Sequence, residues 1–174
     1  DDMFSTPIMA ANEVITDLEL GMNFTFNNGY AKINGYKMLY LNEQLKNINL
    51  SQEGEYSYYS ADSTTHSGFE YESKLYIDSK TILGINGAIQ MNVFNNGNFI
   101  PNTPSGMMNV SLSHDFSKNL LLFAHYRKIG GMYIDNINAE DGYINSFGVF
   151  DLGTNISRGK FKVSLKINNV FNKL

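Results

Sequence analysis

The chain has 174 residues, of which 43% are hydrophobic, 13% aromatic and only 17% charged, a balance too apolar and aromatic for a disordered tail. A formal net charge of -4 without any Lys/Arg block gives no electrostatic footprint for nucleic acid, and no such partner is expected. The absence of cysteine removes disulfides, thiolate metal sites and cysteine nucleophiles together.

Period-two alternation dominates from the first predicted element. Over residues 17–27 Leu18, Leu20, Met22, Phe24 and Phe26 alternate with Asp17, Glu19, Gly21, Asn23 and Thr25, which predicts a strand with one apolar face. Residues 30–41 are rich in β-formers but alternate poorly, and are also read as a strand. Residues 69–78 set Phe69, Tyr71, Leu75 and Ile77 against Glu70, Glu72, Lys74 and Asp78. Residues 83–93 set Leu83, Ile85, Ile89, Met91 and Val93 against Asn86, Gln90 and Asn92. The pattern returns in 108–116, with Met108, Val110, Leu112 and Phe116 on one side. Residues 120–133 form another β-rich, poorly alternating run. The last two elements are 150–156, with Phe150, Leu152 and Ile156, and 160–168, where Lys160, Lys162 and Lys166 take turns with Phe161, Val163, Leu165 and Ile167. The total is about eight strands.

Two kinds of connection take turns along the chain. Asn27-Asn28-Gly29, Asp78-Ser79-Lys80, Ser117-Lys118-Asn119 and Ser157-Arg158-Gly159 are tight polar turns of the residue types hairpins need. Between them lie long polar connections over 42–67, 95–106 and 134–145. One end of the sheet is trimmed and the other elaborate.

No apolar run approaches the length of a transmembrane helix, but the mean hydropathy of -0.25 is compatible with a barrel whose apolar and polar residues alternate. Short turns at one end, long loops at the other and alternating strands of about ten residues are the signature of an outer-membrane β-barrel. On this reading Phe161, Val163, Leu165 and Ile167 meet acyl chains while the lysines between them face a wet lumen. The alternative is a self-contained small β-barrel or sandwich, binding an apolar ligand or serving as an envelope structural protein, with the apolar row packed inward. If the tight turns are periplasmic, both chain ends emerge on the loop side, and Leu174 is not the aromatic end expected of a closing strand.

Five stretches carry a family resemblance. Residues 166–173, KINNVFNK, resemble the "NLFNK" signature on the penultimate strand of TonB-dependent outer-membrane receptors. Asn12-Glu13 followed by Asp17-Leu18-Glu19-Leu20-Gly21 resembles their "PE...YELG", with Asn12 in place of the proline. Thr65-His66-Ser67-Gly68-Phe69-Glu70 resembles "ATHKGIEL". Pro101-Asn102-Thr103-Pro104 with Asn109-Val110-Ser111-Leu112 resembles "P.TP...LNLSL", and Tyr126-Arg127 through Tyr133 and Asp135 resembles "YRYVGKQYLD". They occur in the family's order over nearly the whole chain.

The resemblance implies an all-β, antiparallel, up-and-down transmembrane barrel segment, about eight strands of a barrel of about 22. Residues 1–174 would be its C-terminal portion, with the plug domain and the last strand outside the sequence. It further implies a transporter of the bacterial cell outer membrane rather than an enzyme, with no catalytic residues and no cofactor. Its activity would be energy-coupled uptake of a scarce ligand: siderophore-bound iron, haem, cobalamin or a saccharide. The implied partners are outer-membrane lipid, the small-molecule ligand and the TonB complex, reached through the absent plug.

Loop aromatics are the best candidates to touch that ligand, because rigid rings offer wide contact at small entropic cost. These are Tyr56, Tyr58 and Tyr59 in EYSYYS, with Tyr133 and Tyr143; an interfacial aromatic belt is the bland alternative. Asp135, Asn136, Asn138, Glu140 and Asp141 carry oxygens but depart from calcium-loop spacing, and read as a solvated acidic loop. His66, His114 and His125 are too scattered for a ligand pair, so no metal is expected. No G-x-S-x-G elbow occurs, and the Gly-rich spots lack a following helix to bind phosphate.

Overall fold

The computed structural model describes residues 11–50 and 56–173, and the side chains of residues 47–50, 56 and 57 fall outside the description. Its strands are β1 (Val14–Phe26), β2 (Gly29–Leu50), β3 (Tyr56–Tyr76), β4 (Thr81–Phe94), β5 (Gly106–Ser117), β6 (Leu120–Ile129), β7 (Met132–Tyr133), β8 (Tyr143–Ile144), β9 (Phe147–Arg158) and β10 (Phe161–Ile167). Eight of them form one antiparallel sheet in the order β1-β2-β3-β4-β5-β6-β9-β10, while β7 and β8 make a separate ribbon in the connection before β9. The sheet is open: among the described residues nothing pairs the outer edges of β1 and β10.

Register turns the sequence alternation into two chemically distinct faces. Directly paired residues share a face. One rung carries Leu75, Leu83, Leu112, Ala124, Leu152 and Ile167; its neighbour carries Ile85, Val110, Tyr126 and Phe150. On the opposite face Asn23, Lys32, Glu72, Asn86, Asn109 and Arg127 share one rung. Here Tyr30 donates to Glu72 at 2.5 Å, Lys32 reaches the same carboxylate at 3.4 Å, and Asn109 donates to Asn86 at 3.0 Å.

The apolar row is not a core. Leu18 is 72% exposed, Leu20 78%, Ile89 66% and Ile167 65%. Among the described residues only Ala61 and Ile100 are buried hydrophobics. A compact soluble barrel would need that row packed inward, whereas here much of it is exposed.

The short turns fall where the sequence places them, each with its own device. At the β9–β10 turn Gly159 has φ +60, a backbone state that side chains disfavour. At the β3–β4 turn Asp78 accepts the backbone N–H of Lys80 at 2.7 Å. That bond, followed by one from the Thr81 hydroxyl, holds the Asp78 carboxyl below its ordinary range. The bonds therefore support the turn at neutral pH, and their contribution is lost as pH falls through the lowered value.

Two expectations need correction. Residues 42–67 do not form a long loop: β2 and β3 continue as a paired arm through Glu43↔Ala61, Gln44↔Ser60, Leu45↔Tyr59 and Lys46↔Tyr58. Only residues 51–55, outside the description, join them. On the membrane reading, alternation fades there because neither face of the arm need meet hydrocarbon. The predicted strand over 120–133 is also interrupted, since Gly130 and Gly131 turn aside to pair with Gly106 and Ser105 before β7 begins.

At the end of β10, the stretch 168–173 folds as a turn with Asn169 at φ 50 and Asn172 at φ 47. Asp151, 2% exposed, anchors it by accepting the Asn169 N–H at 2.9 Å, with Lys166 at 3.0 Å and Arg127 at 3.5 Å. Phe171 stacks on Phe150 with centroids 5.5 Å apart.

If the apolar face meets hydrocarbon, Leu112→Arg should lower the stability of the bilayer-folded protein by about 2–4 kcal/mol. Ser111→Arg, one residue along on the polar face, should change it by less than about 1 kcal/mol. Urea titration of protein folded into lipid vesicles measures both, and a larger loss for Ser111→Arg would mean the faces are reversed.

Candidate functional site

The candidate site is the loop-side mouth of the polar face. Connection 95–105 leaves β4 and doubles back alongside it, with Phe99 bridging to Val93. Its return is fixed by the Ile100 N–H bonding to Asn92 O at 2.9 Å and by Gln90 Nε2 donating to Pro104 O at 2.9 Å. Ile100 is then 4% exposed, covered against the wall. The same Gln90 accepts from the Tyr36 hydroxyl at 3.4 Å, so the wall grips the loop through a side chain that is itself held.

Beside this loop lies a buried polar cluster. Asn42 adopts a left-handed conformation, φ 57, and the next residue, Glu43, reaches the polar face. Its Oε2 accepts the Thr64 hydroxyl and lies 3.0 Å from His66 Nε2. His66 Nδ1 is 3.1 Å from Asn92 Oδ1, and the Tyr40 ring meets the imidazole edge-on at 5.0 Å. Thr64 is 1% exposed and Asn92 7%, and among the described residues no buried side-chain nitrogen or oxygen lacks a partner. The cluster binds β2, β3 and β4 together where the arm leaves the sheet.

Connection 130–146 is clamped onto connection 95–105 by asparagines. Asn138, at φ 55, accepts the Phe99 N–H through Oδ1 at 2.6 Å and donates Nδ2 to Phe99 O at 2.9 Å, imitating a strand partner. Asn98 donates to Asn136 O at 2.9 Å, and the Asn102 N–H bonds to Tyr133 O at 2.8 Å. Asp135 is used internally, its Oδ1 accepting the N–H groups of Ile137 at 3.0 Å and Ala139 at 3.1 Å. The oxygen-rich loop is thus occupied with its own shape and with its neighbour.

The five tyrosines singled out in the sequence fall into two groups. Tyr133 and Tyr143 pair across β7 and β8 with ring centroids 4.9 Å apart, and Phe99 stacks on Tyr133 at 5.9 Å. A side chain at Gly131 would collide with the Tyr143 hydroxyl, so glycine lets the ring lie close. Tyr56, Tyr58 and Tyr59 lie on the β3 arm; the side chain of Tyr56 is outside the description. Tyr58 is 67% exposed, whereas the Tyr59 hydroxyl accepts from Asn136 Nδ2 at 3.0 Å and joins the arm to the clamped loops. Burial pushes that hydroxyl above its ordinary value, against the Asn136 bond, so it stays neutral at physiological pH. Of the three histidines, His66 sits in the cluster, His114 bonds Thr81 at 2.8 Å near the turns, and His125 lies against Phe123.

Sequence reasoning did not single out Glu43, Gln90, Asn92 or the clamp made by Asn138. Their side-chain partners are 21 to 54 residues away, and their other partners are backbone atoms of a connecting loop, so no local spacing reports them.

The sequence profile described as "TonB dependent receptor-like, beta-barrel" matches residues 2–170. No curated protein matches the sequence. The fold is similar to the ferric yersiniabactin uptake receptor FyuA from Yersinia pestis, with TM-score 0.77 and 18% identity, over 92% of this chain and 25% of that one. It is similar to the ferric enterobactin receptor PfeA from Pseudomonas aeruginosa, with TM-score 0.76 and 16% identity, over 92% and 26%. For the siderophore receptor PirA from Acinetobacter baumannii the values are 0.73 and 14%, over 92% and 28%. The chain therefore spans about a quarter of the length of these receptors.

Replacing Asn138 with glycine keeps its backbone conformation accessible while removing both clamp bonds. Hydrogen exchange at the Phe99 amide should accelerate by roughly tenfold, the effect of losing about 1.4 kcal/mol of local stability. An unchanged rate would show that the two connections are held together by something else.

Proposed function

The chain belongs to the TonB dependent receptor-like β-barrel family, and from this we propose that it forms part of the wall and mouth of an outer-membrane transporter that imports a ferric siderophore. The segment supplies strands late in the barrel, and the plug and the remaining strands belong to the rest of the receptor. Energy reaches the transporter from the TonB complex through that plug. The observation that carries the proposal is the pairing of the two faces: an unburied apolar row on one side, and on the other a hydrogen-bonded polar wall capped by ordered loops. A wall of this kind separates lipid from a wet passage. Siderophore-bound iron is preferred to haem, cobalamin or a saccharide because the similar structures named above are a ferric yersiniabactin uptake receptor, a ferric enterobactin receptor and a siderophore receptor.

In this reading the chain's own residues act in sequence from outside inward. Tyr58, at the exposed arm, and the Tyr133–Tyr143 pair offer flat contact area and hydroxyls to an arriving chelate. Tyr59 and Asn136 hold the two groups at a fixed separation. Below them the polar wall of Lys32, Glu72, Asn86, Asn109 and Arg127 gives a hydrated surface along which a polar ligand moves without being stripped of hydrogen bonds. The chemistry is recognition and passage, with no covalent step.

Uptake by cells whose only receptor is the intact protein, with each ligand carrying its own radiolabel (iron in ferric catecholates, ferric hydroxamates and haem, cobalt in cobalamin, carbon in oligosaccharides), tests the proposal. One class of ferric siderophore should be imported, dependent on TonB. Tyr133→Ala and Tyr58→Ala should each weaken its binding by about five- to thirtyfold, the size of an aromatic contact at a binding surface. Import of only a non-siderophore ligand would replace the ligand assignment, and unchanged affinity in both variants would remove the tyrosines from the site.

A further inference from the structure

We propose that the apolar face carries a seat for one anionic phospholipid between β5, β6, β9 and β10, an inference that rests on the membrane reading above. A groove of about 610 Å³ runs along this face, within the size range of built ligand sites. Register makes it. Ala124 lies between Leu112 and Leu152 on one rung, and Thr154 lies between Leu122 and Leu165 on the next, so small side chains form a floor and leucines form the walls. A second hollow on the same face, around Gly35, has a single cation beside it, Lys37.

The end of the groove supplies the headgroup chemistry. It reaches His114, whose Nδ1 is 2.8 Å from Thr81 Oγ1. Beyond His114 the three neighbouring turns present Lys80, Lys118 and Arg158, all exposed. The carboxylates at this end leave the cations in excess. Asp78, held in its own turn by the Lys80 N–H and near enough to His114 to interact with it, offsets one of them, and Asp115 pairs with Leu121 on the polar face, away from the groove. The turn at the other side of the sheet, Asn27-Asn28, is uncharged. Cations held at the headgroup plane favour anionic over zwitterionic lipid, each by about fivefold. An acyl chain in the groove and an anionic headgroup on these cations match one molecule of the turn-side leaflet.

The test uses the intact receptor, stripped of lipid in mild detergent and then given equal amounts of phosphatidylglycerol and phosphatidylcholine. Native mass spectrometry counts what stays bound. One phosphatidylglycerol should be retained in at least about fivefold preference. Lys118→Gln and Arg158→Gln should each reduce that preference by about fivefold. Ala124→Phe, which fills the floor, should abolish retention of both lipids; Thr154→Leu serves the same purpose should the phenylalanine variant fail to fold. Equal retention of the two lipids by the unmodified receptor, or unchanged retention in the filled-groove variant, overturns the proposal. A receptor that stays monomeric and soluble without detergent would instead overturn the membrane reading beneath it.

Discussion

An unpaired backbone N–H or C=O in hydrocarbon costs several kcal/mol, and the organisation of this chain follows from that penalty. Each strand must find partners on both sides over its whole membrane crossing, so the sheet can tolerate neither gaps nor slips there. A slip of one residue would also carry Phe and Leu to the wet side and Lys and Glu to the lipid side. The register obeys this: the same parity passes from β1 through β10. Its irregularities, at Lys46/Leu50 and Asp115/Ser117, lie beyond the central span, in the arm and beside a turn.

Legibility in the sequence follows the same physics. Where a strand has lipid on one side and water on the other, each side chain records its face, and 17–27, 83–93 and 160–168 read directly. In β2 the signal weakens because small or polar residues occupy apolar-face positions: Ala31, Gly35 and Lys37 pair with Phe24, Leu20 and Leu18. Past Leu41 both faces of the arm are free of the hydrocarbon requirement. Alternation then carries no information, which is why 42–67 reads as loop although most of it is strand.

The mouth was legible only as composition. Tyrosine-rich, Asn-rich connections announce exposed loops, but the clamp between Asn138 and Phe99 joins residues 39 apart through backbone atoms. The motif near the end of the chain shows the same division. Its letters suggested a family, whereas its physical content is a turn of left-handed asparagines fastened to the buried carboxylate of Asp151, 18 residues earlier. An Asp in an alternating strand gives no hint that it will be 2% exposed.

The hydrogen-bonded loops also bear on how a receptor of this kind captures ligand. Tyr133 and Tyr143 ride on connections fastened to the wall through Gln90, Asn92 and Gly106, and Tyr58 rides on a paired arm rooted in the Glu43–His66 cluster. The two supports meet through Asn136 and Tyr59, with the Asn95 N–H bonding to Ser63 O at 3.2 Å. Rings packed as Tyr133 and Tyr143 are, with centroids 4.9 Å apart, have little freedom left to lose on contact with a ligand. Ordering a mobile side chain at an interface costs about 0.5–1.5 kcal/mol, so fixing these rings beforehand converts more of each contact into affinity. On the proposed function, the asparagine clamps, remote from any transport step, would belong to the recognition surface as much as the rings they position.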